Sequence, residues 1–180
     1  MTLEEKILER ARAPSDWHKP KVGVYHASQI YKIAEGYLSP EQFFEQEDFT
    51  EETLLKFEWG KMYHSYVQSL FPDECNERKI SIQLEDFKIV GSVDLVTDKV
   101  IELKTCNRFP ARPYQSHIYQ VQCYLEALNK QEGVIVYMEK HLDKFPSKEF
   151  IIKRDIQLFQ DITQKVTKFH EQLKNGFTKQ

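Results

Sequence analysis

The apolar positions of this chain switch between two periods, and each switch marks an element. RKISIQLE, residues 78–85, alternates apolar and polar side chains, the pattern of a half-buried strand. FKIVGSVDLVT and KVIELKT continue as two more strands, and the short intervals predict a meander. CNRFPARPY, with two prolines, reads as an irregular loop. QSHIYQVQCYLEALNK changes to helical spacing at Ile118, Val121, Leu125 and Leu128. GVIVYME is a strong apolar strand and KEFIIKR a weaker one. From Asp155 a helix carries Ile156, Phe159, Ile162, Val166, Phe169 and Leu173, a stripe that reads as core packing.

Upstream the pattern is helical. Residues 2–12 form a short charged helix that stops before Pro14, and SDWHKPKVG follows as a loop. YHASQIYKIAEGY is a second helical candidate, with Ser28 near its start and Gly36, Ser39 and Pro40 at its end. PEQFFEQ supplies a further turn or two. TEETLLKFEWGKMYHSYVQSLF is a longer helix, capped at Thr50, with Leu54, Leu55, Met62, Tyr66 and Leu70 as its apolar face. Helices, three strands, a helix, two strands and a helix predict an α/β fold, a central sheet of about five strands with helices on its faces. A single domain is expected over 1–180: a helical part at 1–72, an α/β core at 77–153 and a C-terminal helix at 155–175.

Composition changes this picture little. The chain has 180 residues, 41% apolar and 29% charged, with only six glycines, so disorder and low complexity are not indicated. No apolar run approaches the ~20 residues of a membrane span. The opening MTLEEKILERARAP is charged throughout and unlike a signal peptide, so a cytoplasmic location and no membrane partner are expected. The net charge of −3 weighs slightly against a nucleic-acid partner, although a local basic patch acts on acidic proteins too. Cys75, Cys106 and Cys123 are far apart and form no C-x-x-C pair, which points to free thiols.

The chemistry lies in GSVDLVTDKVIELKT, residues 91–105, where Asp94, Glu102 and Lys104 interrupt apolar strands. Side chains alternate across a strand, so Glu102 and Lys104 share a face while Ile101 and Leu103 point into the core. A hairpin brings Asp94 beside Glu102, and two carboxylates and an ammonium then cluster at a sheet surface. Neighbouring carboxylates resist ionising together unless a cation joins them. Mg²⁺ typically takes one or two carboxylates together with phosphate oxygens. Such an ion polarises a phosphodiester and acidifies water, and a nearby lysine offsets charge on the phosphate. These residues point to metal-assisted phosphodiester hydrolysis. An exposed salt bridge from Lys104 to Glu102 or Asp94 is the plainer reading of so short a pattern, and it stays open here.

Three neighbouring segments bear on the choice. Gln120 and Tyr124 stand at i and i+4 on one helix face, beside the apolar stripe, with His117 one turn earlier. They could hydrogen-bond a phosphate or orient the lysine, or be a surface amide and a half-buried phenol. His64 follows Gly60 by one turn, and a helix-interior glycine, which costs ~1 kcal/mol against alanine, could let the helix approach the sheet and aim the imidazole. A partly buried structural histidine is the alternative. The loop TCNRFPARPYQSH sets Arg108, Arg112 and His117 among Phe109 and Tyr114, an interleaving that suits a single nucleic-acid strand or simply a solvated loop.

Taken together, GKMYH, GSVDLVTDKVIELKT and QVQCY resemble the PD-(D/E)XK nuclease superfamily, most of all its RecB-like branch with the CRISPR-associated Cas-four exonucleases. The motifs cover about residues 58–125, and the core strands and helix extend the likeness to about 153. The resemblance implies a restriction-endonuclease-like core with a central mixed sheet. It implies His64, Asp94, Glu102 and the carbonyl of Leu103 as ligands to Mg²⁺ or Mn²⁺, Lys104 as the catalytic lysine, and Gln120 and Tyr124 as the supporting motif. The implied reaction is hydrolysis of DNA, single-stranded or at free ends. The chain departs from cluster-bearing members: it has no cysteine before Cys75 or after Cys123, and three thiols cannot supply four ligands, so no iron–sulfur cluster is expected. A catalytically silent nucleic-acid-binding or assembly module of the same fold is the alternative function.

Overall fold

A computed structural model describes residues 2–12, 20–45, 49–140 and 144–177. Pro14 and most of the loop after it lie outside the described residues. In chain order the elements are α1 (Leu3–Arg12), β1 (Val24–His26), α2 (Ile30–Ala34), α3 (Glu51–Gln68), β2 (Asn76–Gln83), β3 (Lys88–Val96), β4 (Val100–Cys106), α4 (Gln115–Ala127), β5 (Glu132–Glu139), β6 (Ser147–Lys153) and α5 (Ile156–Phe177). Among the described residues no helix is long and apolar enough to cross a membrane.

Among the described residues the sheet is mixed and has six strands, one more than the periodicity shows. β2, β3 and β4 form the expected antiparallel meander, β5 runs parallel to β4, and β6 returns antiparallel to β5. The additional strand is β1, which takes Tyr25 and His26 out of the expected second helix and pairs parallel with Lys88–Val90 of β3. Only Ile30–Ala34 of that segment is α-helical.

This arrangement opens a fork. β2 runs along one edge of β3. On the other edge β1 covers residues 88–90 and β4 pairs only with Leu95 and Val96. Between them that edge of β3 has no strand partner, and Asp94 sits at the opening. Backbone groups left there still require partners. Side chains supply them: the Tyr124 hydroxyl donates to the Ser92 carbonyl at 2.9 Å, and Gln68 Nε2 donates to the Asp94 carbonyl at 3.0 Å.

Helices cover both faces. On one face α4 and α5 close the larger core, with Ile89, Val93, Val121, Leu125, Ile135, Tyr137, Ile162, Val166 and Leu173 buried. The α5 stripe is core from Ile162 onward, while Ile156 is exposed. Asp155 Oδ1 accepts from Leu158 N–H at 2.9 Å and caps that helix. On the other face α3 lies over a small cluster of Leu95, Leu103 and Met138.

The α3 stripe turns out differently from the expected one. Leu54 is buried as expected, but further along the side chains on the sheet are Tyr63, Val67 and, past the helix end, Phe71, whereas Met62, Tyr66 and Leu70 are exposed, Met62 by 61%. The two rows differ by one position, about 100° of helix rotation. Both are apolar, and contact with the sheet chooses between them. Thr50 caps the helix as expected, accepting from Thr53 N–H at 3.3 Å.

Candidate active site

The site is built where the fork exposes the end of β3 to β4. The β3–β4 register continues from Val96–Val100 and Leu95–Ile101, and its next position sets Asp94 opposite Glu102. No ladder forms there. Instead Asp94 Oδ2 accepts the Leu103 N–H at 2.8 Å, so the carboxylate does the work of a missing strand carbonyl. The N–H and C=O of one extended residue point to the same side, so the Leu103 carbonyl also faces the edge where Asp94 stands. Val93 and Leu95 lie two residues apart yet pack in different cores, so the regular alternation breaks at Asp94. Asp94 Oδ1 meets His64 Nδ1 of α3 at 3.4 Å.

Glu102 is the buried member, only 2% exposed. Its Oε1 accepts from Lys104 Nζ at 2.6 Å. Its Oε2 is buried with no hydrogen-bond partner. A lone carboxylate oxygen in that state is costly. Burial pushes the Glu102 carboxyl up to about 7, Lys104 pulls it back, and Asp94 pushes it further up. Lys104 loses some basicity to burial, but the Glu102 carboxylate outweighs this and raises its pKa above the ordinary lysine value. The expected pair therefore exists, but as a buried pair rather than an exposed surface bridge, and the charges do not sit on an open sheet face.

α4 closes the site from the larger-core side. Gln120 Nε2 donates to the Tyr124 hydroxyl at 2.8 Å, and that hydroxyl donates to Ser92. Both residues are buried, not surface groups beside the stripe. The Tyr124 ring lies against Gly91, where a Cβ would come within 2.9 Å of its Cε1 and 3.2 Å of Ala27 Cβ. Gly91 is thus the position that lets α4 seat its tyrosine on β3. At Gly60 a Cβ would meet Thr105 Oγ1 at 3.4 Å, ordinary contact, so α3 comes close to β4 there without requiring glycine.

The basic loop divides. His117 lines a cleft of about 710 Å³ together with Lys104 and Gln120. Burial, and then the Lys104 charge, push its imidazole down to about 4, so it is neutral at pH 7. Its Nδ1 shares a 2.7 Å hydrogen bond with the Tyr137 hydroxyl, which also accepts from Tyr114 N–H at 3.0 Å. Arg108, Arg112 and Tyr114 are exposed on the loop and do not line the cleft.

Three residues of the site escaped the sequence. Tyr137 stands beside Lys104 through the parallel β4–β5 register, which only strand order reveals. Gln68 and Ser92 act through hydrogen bonds to or from main-chain groups.

Among the described residues no three of His, Cys, Asp or Glu converge as a ready-made metal cage. The donor set nonetheless suits a hard divalent ion, which needs only one or two carboxylates: an unpartnered buried oxygen on Glu102, Asp94 alongside it, and the edge of Leu103. Of the cysteines, Cys123 is fully buried in the larger core, and burial raises its thiol to about 12, while Cys75 and Cys106 are partly exposed.

No family model matches this chain, and no curated protein matches it. Solved structures do. An alkaline exonuclease (LHK-Exo) from Laribacter hongkongensis is similar at a TM-score of 0.63 and 16% identity, over 89% of this chain and 93% of that one. The same enzyme in complex with dAMP gives 0.63 at 15% identity, with the same coverage of each chain. The crystal structure of SSO0001 gives 0.56 at 17% identity, over 91% of this chain and 83% of that one. At such identities the likeness concerns the fold: a mixed α/β sheet flanked by helices, shared with these structures along most of the chain.

Proposed function

We propose that this protein is a metal-dependent DNA nuclease of the PD-(D/E)XK type, an exonuclease acting on single-stranded DNA or DNA ends. The observation that carries the reading is the Glu102 carboxylate, buried with one oxygen unpartnered, next to Asp94 and paired with Lys104, which lines a cleft. Evolution seldom leaves such an atom without a use. A fold shared with an enzyme described as an alkaline exonuclease supports the same reading.

Asp94, Glu102, the Leu103 carbonyl and His64 would hold Mg²⁺ or Mn²⁺. Such an ion supplies Lewis-acid polarisation of the phosphodiester and a more acidic water. Lys104 is held protonated, so it acts as a cation toward the phosphate rather than as a base. Glu102 holds that ammonium at the cleft. Gln120 and Tyr124 lock α4 to β3 at Ser92, two residues before Asp94, and so keep the carboxylates in register. Neutral His117, held by Tyr137, offers a hydrogen bond without adding charge.

One observation favours a second reading. Lys104 already occupies one Glu102 oxygen at 2.6 Å, as in a site retained for structure alone, and a catalytically silent DNA-binding or assembly module would look the same. End-labelled linear and closed circular single-stranded DNA, incubated with Mg²⁺, Mn²⁺ or EDTA, separate the two. Metal-dependent loss of linear DNA, with the circle spared and Asp94→Asn and Lys104→Met inert, is the expected result. DNA left intact by a folded protein in every metal sinks the nuclease reading, and degradation of the circle converts it to endonuclease action.

A further inference from the structure

The cleft at Lys104 extends well beyond the charged groups. Its outer wall comes from the segment around α2, where Ser28, Tyr31, Tyr37 and Leu38 line the same space as Lys104 and Gln120. Rings run along this wall from core to solvent. Tyr119, buried in α4, meets Tyr31 edge-on at 5.4 Å, and Tyr31 meets Tyr37 at 5.6 Å with their planes 35° apart. Tyr37, the last of the three, is 67% exposed.

The exposed ring is not on a loose tail. Gly36 turns the chain at φ +72, and Tyr37 N–H and Leu38 N–H both donate to the Lys32 carbonyl, at 2.8 and 3.0 Å. Just beyond, Ser39 and Gln42 bond each other's main chain reciprocally, Gln42 N–H to Ser39 Oγ at 3.3 Å and Ser39 N–H to Gln42 Oε1 at 3.2 Å. The inner ring is anchored too: the Tyr119 hydroxyl donates to Glu35 at 2.7 Å, and Lys165 holds the same carboxylate. An aromatic face fixed in this way loses little freedom when a flat partner covers it. Exposed aromatics beside a phosphate-seeking cation are what single-strand binding sites use, because every base offers a π-face.

We propose that the outer part of the cleft is a subsite for an unpaired nucleotide flanking the scissile phosphate, its base stacked on Tyr37 with Tyr31 behind. The identity of the polymer rests on the nuclease reading; the stacking does not. The cleft volume of about 710 Å³ is ample for a nucleotide on the wall while Lys104 engages the adjoining phosphate. Sequence selectivity is not expected from a stacked ring, so pyrimidines and purines are both accepted, purines more tightly.

The test is equilibrium binding of fluorescein-labelled single-stranded DNA of about 12 nucleotides, followed by anisotropy in EDTA, where no cleavage occurs. Tyr37→Ala is expected to weaken binding about 5- to 150-fold, and Tyr37→Phe to retain it. Circular dichroism confirms that the variants fold, as an exposed ring allows. Probes carrying one abasic site at successive positions should lose affinity at a single position for the native protein and at none for Tyr37→Ala. Equal binding by native protein and Tyr37→Ala overturns the subsite, as does a flat abasic scan or native protein that binds no probe. Tyr37-dependent stacking without any cleavage in Mg²⁺ or Mn²⁺ would sustain the subsite and sink the nuclease reading. Cleavage without Tyr37 dependence would do the reverse.

Discussion

Replacing Glu102 by glutamine should change how stability depends on pH, by an amount that follows from burial. In the absence of metal the Glu102 carboxyl titrates at about 7 in the folded protein against 4.5 when free. Between those values the folded state holds a proton that the unfolded state has released, so stability falls as pH rises through the window and is flat above it. A displacement of that size corresponds to about 3 kcal/mol. The whole-protein curve will not display it, because His117 works in the opposite direction. Its imidazole titrates at about 4 instead of 6.5, so its contribution is present above 6.5 and lost as pH falls. The two nearly cancel. Subtracting the urea-unfolding free energy of Glu102→Gln from that of native protein removes the His117 part, since both proteins carry it. The native protein should lose about 3 kcal/mol relative to the variant on going from pH 4.5 to pH 7 in EDTA. A difference that is constant with pH, or that moves in favour of native protein, would refute the assignment of Glu102 as a carboxylate ionised at a cost.

Other outcomes follow from packing. Gly91→Ala places a Cβ 2.9 Å from the Tyr124 ring, so the ring must leave Ser92; overpacking and a lost hydrogen bond together cost about 2–4 kcal/mol, read as a fall in Tm of roughly 5–10 °C. Val67→Ala on the sheet side of α3 should destabilise by about 1–3 kcal/mol, whereas Met62→Ser on its outer side should stay within about 0.5 kcal/mol; the reverse order in denaturant melts would restore the face read from the sequence. Tyr137→Phe removes the partner of both His117 Nδ1 and Tyr114 N–H, and should cost about 1–2 kcal/mol and shift the imidazole nitrogen resonances in NMR. Unchanged resonances would show that the phenol does not hold the ring.

Much of this is legible in the sequence. Strands β2 to β6 and helices α4 and α5 announce themselves because each buries a face long enough for its period to register. β1 does not: three residues cannot show a period, and its pairing with Lys88–Val90 lies more than sixty positions away in sequence. The α3 face was misread because Met62, Tyr66 and Leu70 and the adjacent Tyr63, Val67 and Phe71 are both apolar rows, and local pattern cannot tell which one a sheet will cover. In the site, Asp94 opposite Glu102 follows from a tight turn between two strands, and Gln120 with Tyr124 from i, i+4 geometry. The neutrality of His117 did not follow, because it depends on burial and on Lys104 arriving from another strand. Nor did the fork in the sheet, which exists only because β1 and β4 share one edge of β3.

Ion binding is the step on which the catalytic reading stands, and it can be measured without DNA. Titrating Mn²⁺ into the protein and following free Mn²⁺ by electron paramagnetic resonance reports occupancy directly. The expected result is a single saturable class of sites in native protein, displaced by excess Mg²⁺, abolished in Asp94→Asn and in Glu102→Gln. Binding that survives both substitutions, or no binding by the folded native protein, would contradict the assignment of Asp94 and Glu102 as the metal site.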